Sequence, residues 1–334
     1  MTYSISDCST VLAVWTPATI RLLSMLIILT VGIISGHLAT GKFRVPERFA
    51  KKIMTTVLIC FNWPIALLVI WKMNLTPQVI WLPITGVLIL FATTALSTVL
   101  FNYIKLDPTT RLTLILAAAL SNLGYTGGAF VCYALFGSAG LAMANIYPVF
   151  WLIAVYLIFF PLLKIQKLRM SEQNHTFALK HLLDFRFLVL PAIIAAIALN
   201  LTGVRFPQFV LRLHIIDVFV YIASSLSFFA IGMRVNFSRL KDYINLYFPL
   251  CLVKFIITPV LAVLIIYLVR LTGQNPSGLI QNVIIVLSAA PSAVLMVTMS
   301  NVFDLDGPLA SALWIVTTAI FAIVVVPVLF FVYT

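Results

Sequence analysis

Hydrophobic residues in this chain come in unbroken runs of roughly 18 to 25 positions separated by short polar connectors. Each run is long enough to cross about 30 Å of hydrocarbon at about 1.5 Å per helical residue. Ten are predicted, near residues 20–38, 53–71, 78–101, 112–136, 140–163, 187–202, 215–233, 245–269, 279–300 and 308–332, and are called spans 1 to 10. A backbone in lipid must satisfy its amides within its own segment or in a closed barrel. Barrel strands would be shorter and would alternate, so these runs predict an all-α integral membrane protein of ten transmembrane helices.

Composition agrees. A chain of 334 residues that is 63% hydrophobic and 9% charged, with a mean hydropathy of +1.14, carries more apolar side chain than one soluble core hides. The longest polar connection, about 164–186, is too short for a soluble domain. The stretch before span 1 has one cation, Arg21, a poor n-region for a cleaved signal, so span 1 is retained as a helix. Cys8, Cys60, Cys132 and Cys251 have no metal spacing and are expected to serve packing. No cofactor and no metal are expected.

The net charge of +12 is distributed by topology. With ten spans, one set of connectors carries fifteen cations: Lys42, Arg44, Arg48, Lys51, Lys52, Lys105, Arg111, Lys164, Lys167, Arg169, Lys180, Arg186, Arg234, Arg239 and Lys241. The other set carries five: Arg21, Lys72, Arg205, Arg212 and Arg270. That bias places the first set in the cytoplasm and both termini outside, in a plasma or bacterial inner membrane. The basic excess therefore points to the lipid bilayer and not to nucleic acid. Trp15, Trp71, Trp81 and Tyr333 fall near span ends, as amphipathic rings do at headgroup level.

The two halves echo each other. Phe43 to Phe49 with Pro46 resembles Val204 to Phe209 with Pro207, 161 positions on. Gly140, Trp151 and Pro161 have counterparts in Gly307, Trp314 and Pro327 at offsets of 163 to 167. Similar offsets predict a duplicated five-helix unit, 1–165 and 187–334, joined by a cytoplasmic loop at 166–186. Five being odd, the second copy enters from the opposite face. That is the inverted repeat of secondary transporters, with a site near the midplane.

Two spans are interrupted at matching places. Ser121-Asn122-Leu123-Gly124-Tyr125-Thr126-Gly127-Gly128 breaks span 4, and Ser288-Ala289-Ala290-Pro291-Ser292-Ala293 breaks span 9. Each break lies about 15 to 18 Å into its span, near the bilayer centre. Glycines weaken the helix and allow close backbone approach, while Pro291 has no N–H to donate. Freed backbone groups at that depth must face protein or a water-filled cavity. The half-helices after the breaks begin near one another with Thr126 and Ser292 as expected caps. Exposed amides of residues 127 to 129 and 292 to 295 would suit an anion, most simply a carboxylate.

Other polar groups in the spans are few. Lys254 is the cation well inside a span, and reads either as snorkelling to the cytoplasmic headgroups or as a counter-charge to an anion. Asn62, before Trp63-Pro64, is equally a substrate contact or a bond to a neighbouring helix. Ser224, Ser225 and Ser227 read as packing residues and His37 as interfacial. No Asp or Glu sits deep in a span, so no carboxylate proton relay is expected. HExxH, GxSxG and Walker motifs are absent from the sequence, and no enzymatic activity is expected.

These residues resemble the auxin efflux carrier family of permeases, which includes plant PIN proteins and bacterial malate or malonate carriers. Asn122, Gly124 and Gly127, then Leu135-Phe136-Gly137-Ser138-Ala139-Gly140-Leu141, match its N-x-G-x-x-G and L-[FY]-G-x-x-G pattern. Phe228-Phe229-Ala230-Ile231-Gly232-Met233, Lys254-Phe255 with Pro259, and Ala290-Pro291-Ser292 through Ala310 resemble its helices 7, 8 and 9. The resemblance covers almost the whole chain. It implies a five-plus-five inverted repeat with helices 4 and 9 broken and crossing at the substrate site. It also implies an elevator-like movement of helices 3 to 5 and 8 to 10 against a scaffold of helices 1, 2, 6 and 7 that often forms a homodimer. Asn122 and Pro291 take the places of the family's crossover asparagine and proline. Ser121 stands where PIN-type members have proline, and the long central PIN loop is missing; both turn the expectation away from auxin.

The expected substrate-binding residues are Asn62, Asn122, Gly124, Tyr125, Thr126, Gly127, Lys254, Pro291 and Ser292, and the expected partner is a small organic anion. The alternatives are a sodium-coupled carrier like the bile-acid symporters, which resemble this architecture but usually offer acidic sodium ligands, and a membrane sensor that binds without transport. The topology is checked by labelling single cysteines at Lys105 and at Arg270 in a cysteine-free chain. A membrane-impermeant thiol reagent should reach position 270 from outside and position 105 only from the cytoplasmic side; labelling of both from one side overturns the assignment.

Overall fold

The apolar runs fold as helices, and no strand occurs among the described residues. The structure, a computed structural model, describes residues 17–42, 46, 48–163, 189–233, 240–303 and 305–333. Outside them lie Asp7, Cys8, Trp15, residues 43–45 and 47 of the Phe43 to Phe49 echo, the connecting loop at 166–186 with its cations, Lys164, Arg234, Arg239 and Asp304.

Twelve helices carry the described chain besides short single turns: α1 (Pro17–Gly41), α2 (48–72), α3 (Trp81–Asn102), α4 (Pro108–Ala119), α5 (Gly128–Ile146), α6 (148–163), α7 (Val189–Leu201), α8 (Ile215–Gly232), α9 (244–271), α10 (Gly278–Ser288), α11 (Val294–Val302) and α12 (307–333). Among the described residues seven helical stretches are long and apolar enough to cross a membrane, and the protein is membrane-embedded. The difference from ten predicted spans has a physical source. Spans 4 and 9 are each split into halves too short to cross alone, and the second half of span 4 runs on into span 5 as one stretch, Gly128–Leu163. Span 6 is the short helix α7. Within Gly128–Leu163 the chain changes direction at Gly137, whose φ of 66° is left-handed. Outward side chains such as Ile27, Val31, Ile194, Val260 and Ile323 are exposed and apolar, the surface that lipid covers.

Four helices widen to a π turn, and each turn ends two residues before a proline: Leu58–Asn62 before Pro64, Val155–Phe159 before Pro161, Val253–Ile257 before Pro259, and Phe321–Val325 before Pro327. Proline lacks an N–H and its ring crowds the carbonyl four residues back, so a wider turn relieves the clash without breaking the helix. The turn at Val253–Ile257 contains Lys254.

α1 packs along α8, and α2 along α7. Small residues let the first pair approach: a Cβ on Gly36 would stand 2.1 Å from the Phe229 carbonyl oxygen, and one on Gly232 2.2 Å from that of Ile33. The second pair is tied by Asn200, whose Nδ2 lies within hydrogen-bond distance of the carbonyls of Ile70, Trp71 and Met73 at the end of α2, where the Met73 amide also returns to Ile70. α3 lies against α4, α6 and α9; α5 lies against α10 and α1, and α4 against α12. At one rim, Tyr133 of α5 donates to Asp217 of α8 at 2.6 Å while Arg21 of α1 donates to the Ala134 carbonyl at 3.1 Å. At α4's start, Asp107 caps the Thr110 amide. The Thr109 hydroxyl and then that amide pull its carboxyl down to about 2.

The α1–α8 contact gives a direct test. Gly36→Leu drives a side chain into backbone and should cost about 1–3 kcal/mol, read as a lower thermal midpoint in detergent. Gly41→Ala, in open space, should leave the midpoint nearly unchanged; equal midpoints for the two variants contradict the close crossing.

Candidate functional site

The two breaks meet. Residues 120–127 and 289–293 leave helical geometry, and their extended parts lie antiparallel with Ser121 opposite Ser292. The Asn122 amide donates to the Pro291 carbonyl at 2.7 Å, and the Ala293 amide to the Leu120 carbonyl at 2.9 Å. A short bridge of this kind deep in an apolar bundle satisfies backbone groups that lipid would leave unpaired.

The end of α4 is closed by side chains from elsewhere. The last carbonyls of a helix lack intrahelical donors. Here Leu120 N–H returns to Leu116, Ser292 Oγ donates to the Ala117 carbonyl at 2.8 Å, and Lys254 Nζ donates to the Ala118 carbonyl at 2.9 Å. Lys254 Nζ also donates to Ser121 Oγ at 2.7 Å, and the residue is fully buried. This geometry is at odds with the snorkelling reading. The amine turns inward to the crossover and does not snorkel to a headgroup. A positive group at a helix C-terminus is favoured by the helix dipole.

The glycines do something other than expected. The Gly127 amide donates to the Gly124 carbonyl and the Gly128 amide to the Asn122 carbonyl, so neither is exposed for a ligand. They permit close approach instead: a Cβ on Gly127 would stand 2.3 Å from the Asn122 carbonyl oxygen, and one on Gly128 2.5 Å from the Leu287 side chain of α10. The Ser292 amide reaches Thr317 Oγ1 of α12 at 3.3 Å, and the Ala293 amide is in the bridge. Of the amides expected to bind an anion, Ala129, Val294 and Leu295 have no carbonyl acceptor among the described residues, as is true of Phe130 next in line. The capping expectation also fails. α5 starts after Gly127 and α11 after Ala293, neither with a side-chain cap. Thr126 is held by Asn122, whose Nδ2 donates to Thr126 Oγ1 at 3.1 Å, and Ser292 is committed to Ala117.

The other expected residues divide. Asn122 is buried and meets Thr126, Gly127, Gly128 and Pro291, whereas Gly124 is exposed. Tyr125 is buried with its hydroxyl on Asn145 of α5 at 3.3 Å, and its carbonyl accepts from Ser224 of α8. Its side chain positions the turn. Asn62 stands apart from this group, and its buried Oδ1 has no partner among the described residues.

Three contributors escaped the sequence reading, Thr93, Thr258 and Thr317, and Ser121 was read as part of the break but not as a partner of Lys254. Thr93 of α3 and Thr258 of α9 lie 3.5 Å apart, 165 positions apart in sequence, an offset that matches the repeat and was a usable signal. Beside them a small pocket is lined by Ile89, Thr93, Ser121, Trp151, Thr258 and Ser288, with about 240 Å³ between atoms including its open mouth and room inside for water-sized groups. As folded here it does not admit an organic anion.

No protein-family model matches the chain, and no curated protein matches it. The crossover is tested by Ser292→Ala, which leaves the buried Ala117 carbonyl unpaired and should cost about 1–3 kcal/mol. Ser225→Ala, whose hydroxyl bonds only within α8, serves as the control in thermal unfolding. A neutral Ser292→Ala would show that the crossing does not depend on this bond.

Proposed function

We propose that the protein is a secondary carrier of the auxin efflux carrier type that moves a small organic anion, a carboxylate, by alternating access. The observation that carries this reading is the buried Lys254 amine at the crossover, hydrogen-bonded to two neutral groups and with no carboxylate beside it among the described residues. Once protonated, an amine so placed is a buried charge that is costly unless paired, and an anionic ligand supplies that partner. The unbonded amides at the starts of α5 and α11 add donors of the same sign.

The reading includes ten spans in a five-plus-five inverted repeat, 1–165 and 187–334. Four observations support it. Ser121 faces Ser292, and Thr93 faces Thr258, as residues on a two-fold axis meet their own counterparts. The π turns before Pro161 and Pro327 are 166 positions apart. The α1–α8 and α2–α7 contacts become one contact seen twice when spans 1 and 2 are exchanged for 6 and 7. In this scheme spans 1, 2, 6 and 7 form a scaffold that pairs as a homodimer, and spans 3 to 5 and 8 to 10 move as an elevator. Both termini face outward from a plasma or bacterial inner membrane. The chain is a carrier and not an enzyme.

Reconstituted protein should take up one of labelled lactate, malonate, malate or succinate above protein-free vesicles. Asn122→Ala should lower that uptake at least tenfold with thermal unfolding little changed. Binding without uptake would favour a sensor, uptake that requires sodium would favour the sodium-coupled alternative, and near-normal flux in Asn122→Ala would remove that residue from the site.

A further inference from the structure

The crossover holds one basic group, Lys254, with no counter-charge among the described residues; the other titratable side chain there, Tyr125, has its hydroxyl on Asn145. All nine carboxylates of the chain, Asp7, Glu47, Asp107, Glu172, Asp184, Asp217, Asp242, Asp304 and Asp306, lie in connectors or near helix ends. The elements around Lys254 bring hydroxyls instead. α3, α10, α11 and Gly307–Ile320 of α12 contain no ionisable side chain at all, and α4 has only Arg111, two turns before Ala118. The polar groups they present at the crossover are Thr93, Ser288, Ser292 and Thr317, and Ser121 follows α4.

The amine's bonding count is informative. A protonated lysine has three N–H donors and no acceptor, while the neutral amine has two donors and one lone pair. Lys254 Nζ has two partners, the Ala118 carbonyl and Ser121 Oγ. The neutral amine is therefore fully satisfied by the protein, and its lone pair is left over. The protonated amine needs a third acceptor, which the described residues do not provide and a carboxylate does. The protonated form and the bound anion thus complete one another.

Resting on the anion-carrier reading, we propose that Lys254 is the proton carrier of the transport cycle: its amine is neutral in the empty site, takes up one proton with the carboxylate, and releases it when the anion leaves. The proton binds the Nζ lone pair, and the new N–H donates to a carboxylate oxygen. One proton then crosses with each anion. A monocarboxylate moves without net charge, and a dicarboxylate dianion moves with one negative charge. The loaded and empty forms of the moving unit are alike in having no unpaired charge at the crossover when a monocarboxylate is carried. Arginine cannot play this part, because its guanidinium stays protonated.

The test uses full-length protein in vesicles held at zero voltage with potassium and valinomycin, a trapped pH dye, and labelled malonate with lactate as the monocarboxylate. One proton per anion predicts about tenfold accumulation per pH unit, acid outside, over protein-free vesicles. It also predicts dye acidification equal to anion uptake. Lys254→Arg should keep anion exchange yet lose accumulation driven by the pH gradient, and Lys254→Gln should lose uptake. Anion flux in the wild-type protein that ignores the pH gradient and moves no proton overturns the proton role while leaving the carrier reading intact. Absence of flux for every anion, in protein that unfolds cooperatively on heating, overturns both. The wild-type measurement does not depend on either variant folding.

Discussion

Hydrogen bonding of the backbone in a medium that offers no partners is the constraint on which this structure depends. An unbroken helix meets it trivially, and most of the chain does so. The two broken spans do not, and each break leaves amides and carbonyls at depth. The solution is reciprocal: Asn122 and Ala293 exchange backbone bonds with Pro291 and Leu120, and Ser292 reaches into the open end of α4. Neither break is satisfied without the other. The crossing is therefore a structural unit made by two segments about 170 positions apart, held in place by the helices that follow them.

The same rule explains the prolines. Pro64, Pro161, Pro259 and Pro327 sit inside spans, yet none breaks its helix, because a π turn absorbs the missing bond before each. Pro291 lacks this relief and stands where the helix has already ended. A proline in an apolar run thus meets a widened turn, a break or, at Pro249 in the second turn of α9, an uninterrupted helix. The surrounding residues decide: Ala289 and Ala290 finish α10 before Pro291 is reached.

Spans and breaks were legible in the sequence because both are properties of composition at a given depth. Roughly twenty apolar residues have little alternative to crossing, and three glycines amid them mark close approach. What the glycines approach was not legible. Whether the Gly127 and Gly128 amides are free or bonded depends on how tightly the Asn122 turn closes, a matter of fractions of an ångström. Lys254 was legible as a cation at depth but not in its direction, since a long flexible side chain on a widened turn can point either way along the span. Asn200 and Gly36 were missed for a related reason: each matters through one backbone carbonyl on another helix, and a single sequence carries no trace of which helix that is.

The two sides of the crossover differ in charge as well as in their breaks. Under the proposed repeat, Thr258 corresponds to Thr93, so Lys254, four residues before Thr258, corresponds to Ile89. Ile89 lines the water-sized pocket, whereas the lysine sends its amine across to the end of α4. An exact two-fold arrangement would give both helix ends the same partner. Here one end has a tethered basic group and the other a small hydroxyl-lined space. The crossing closes on itself through backbone bonds that both breaks share, whereas the basic group that enters it comes from one side alone. That group and the Ser292 hydroxyl together close the end of α4, a task the backbone bridge leaves undone.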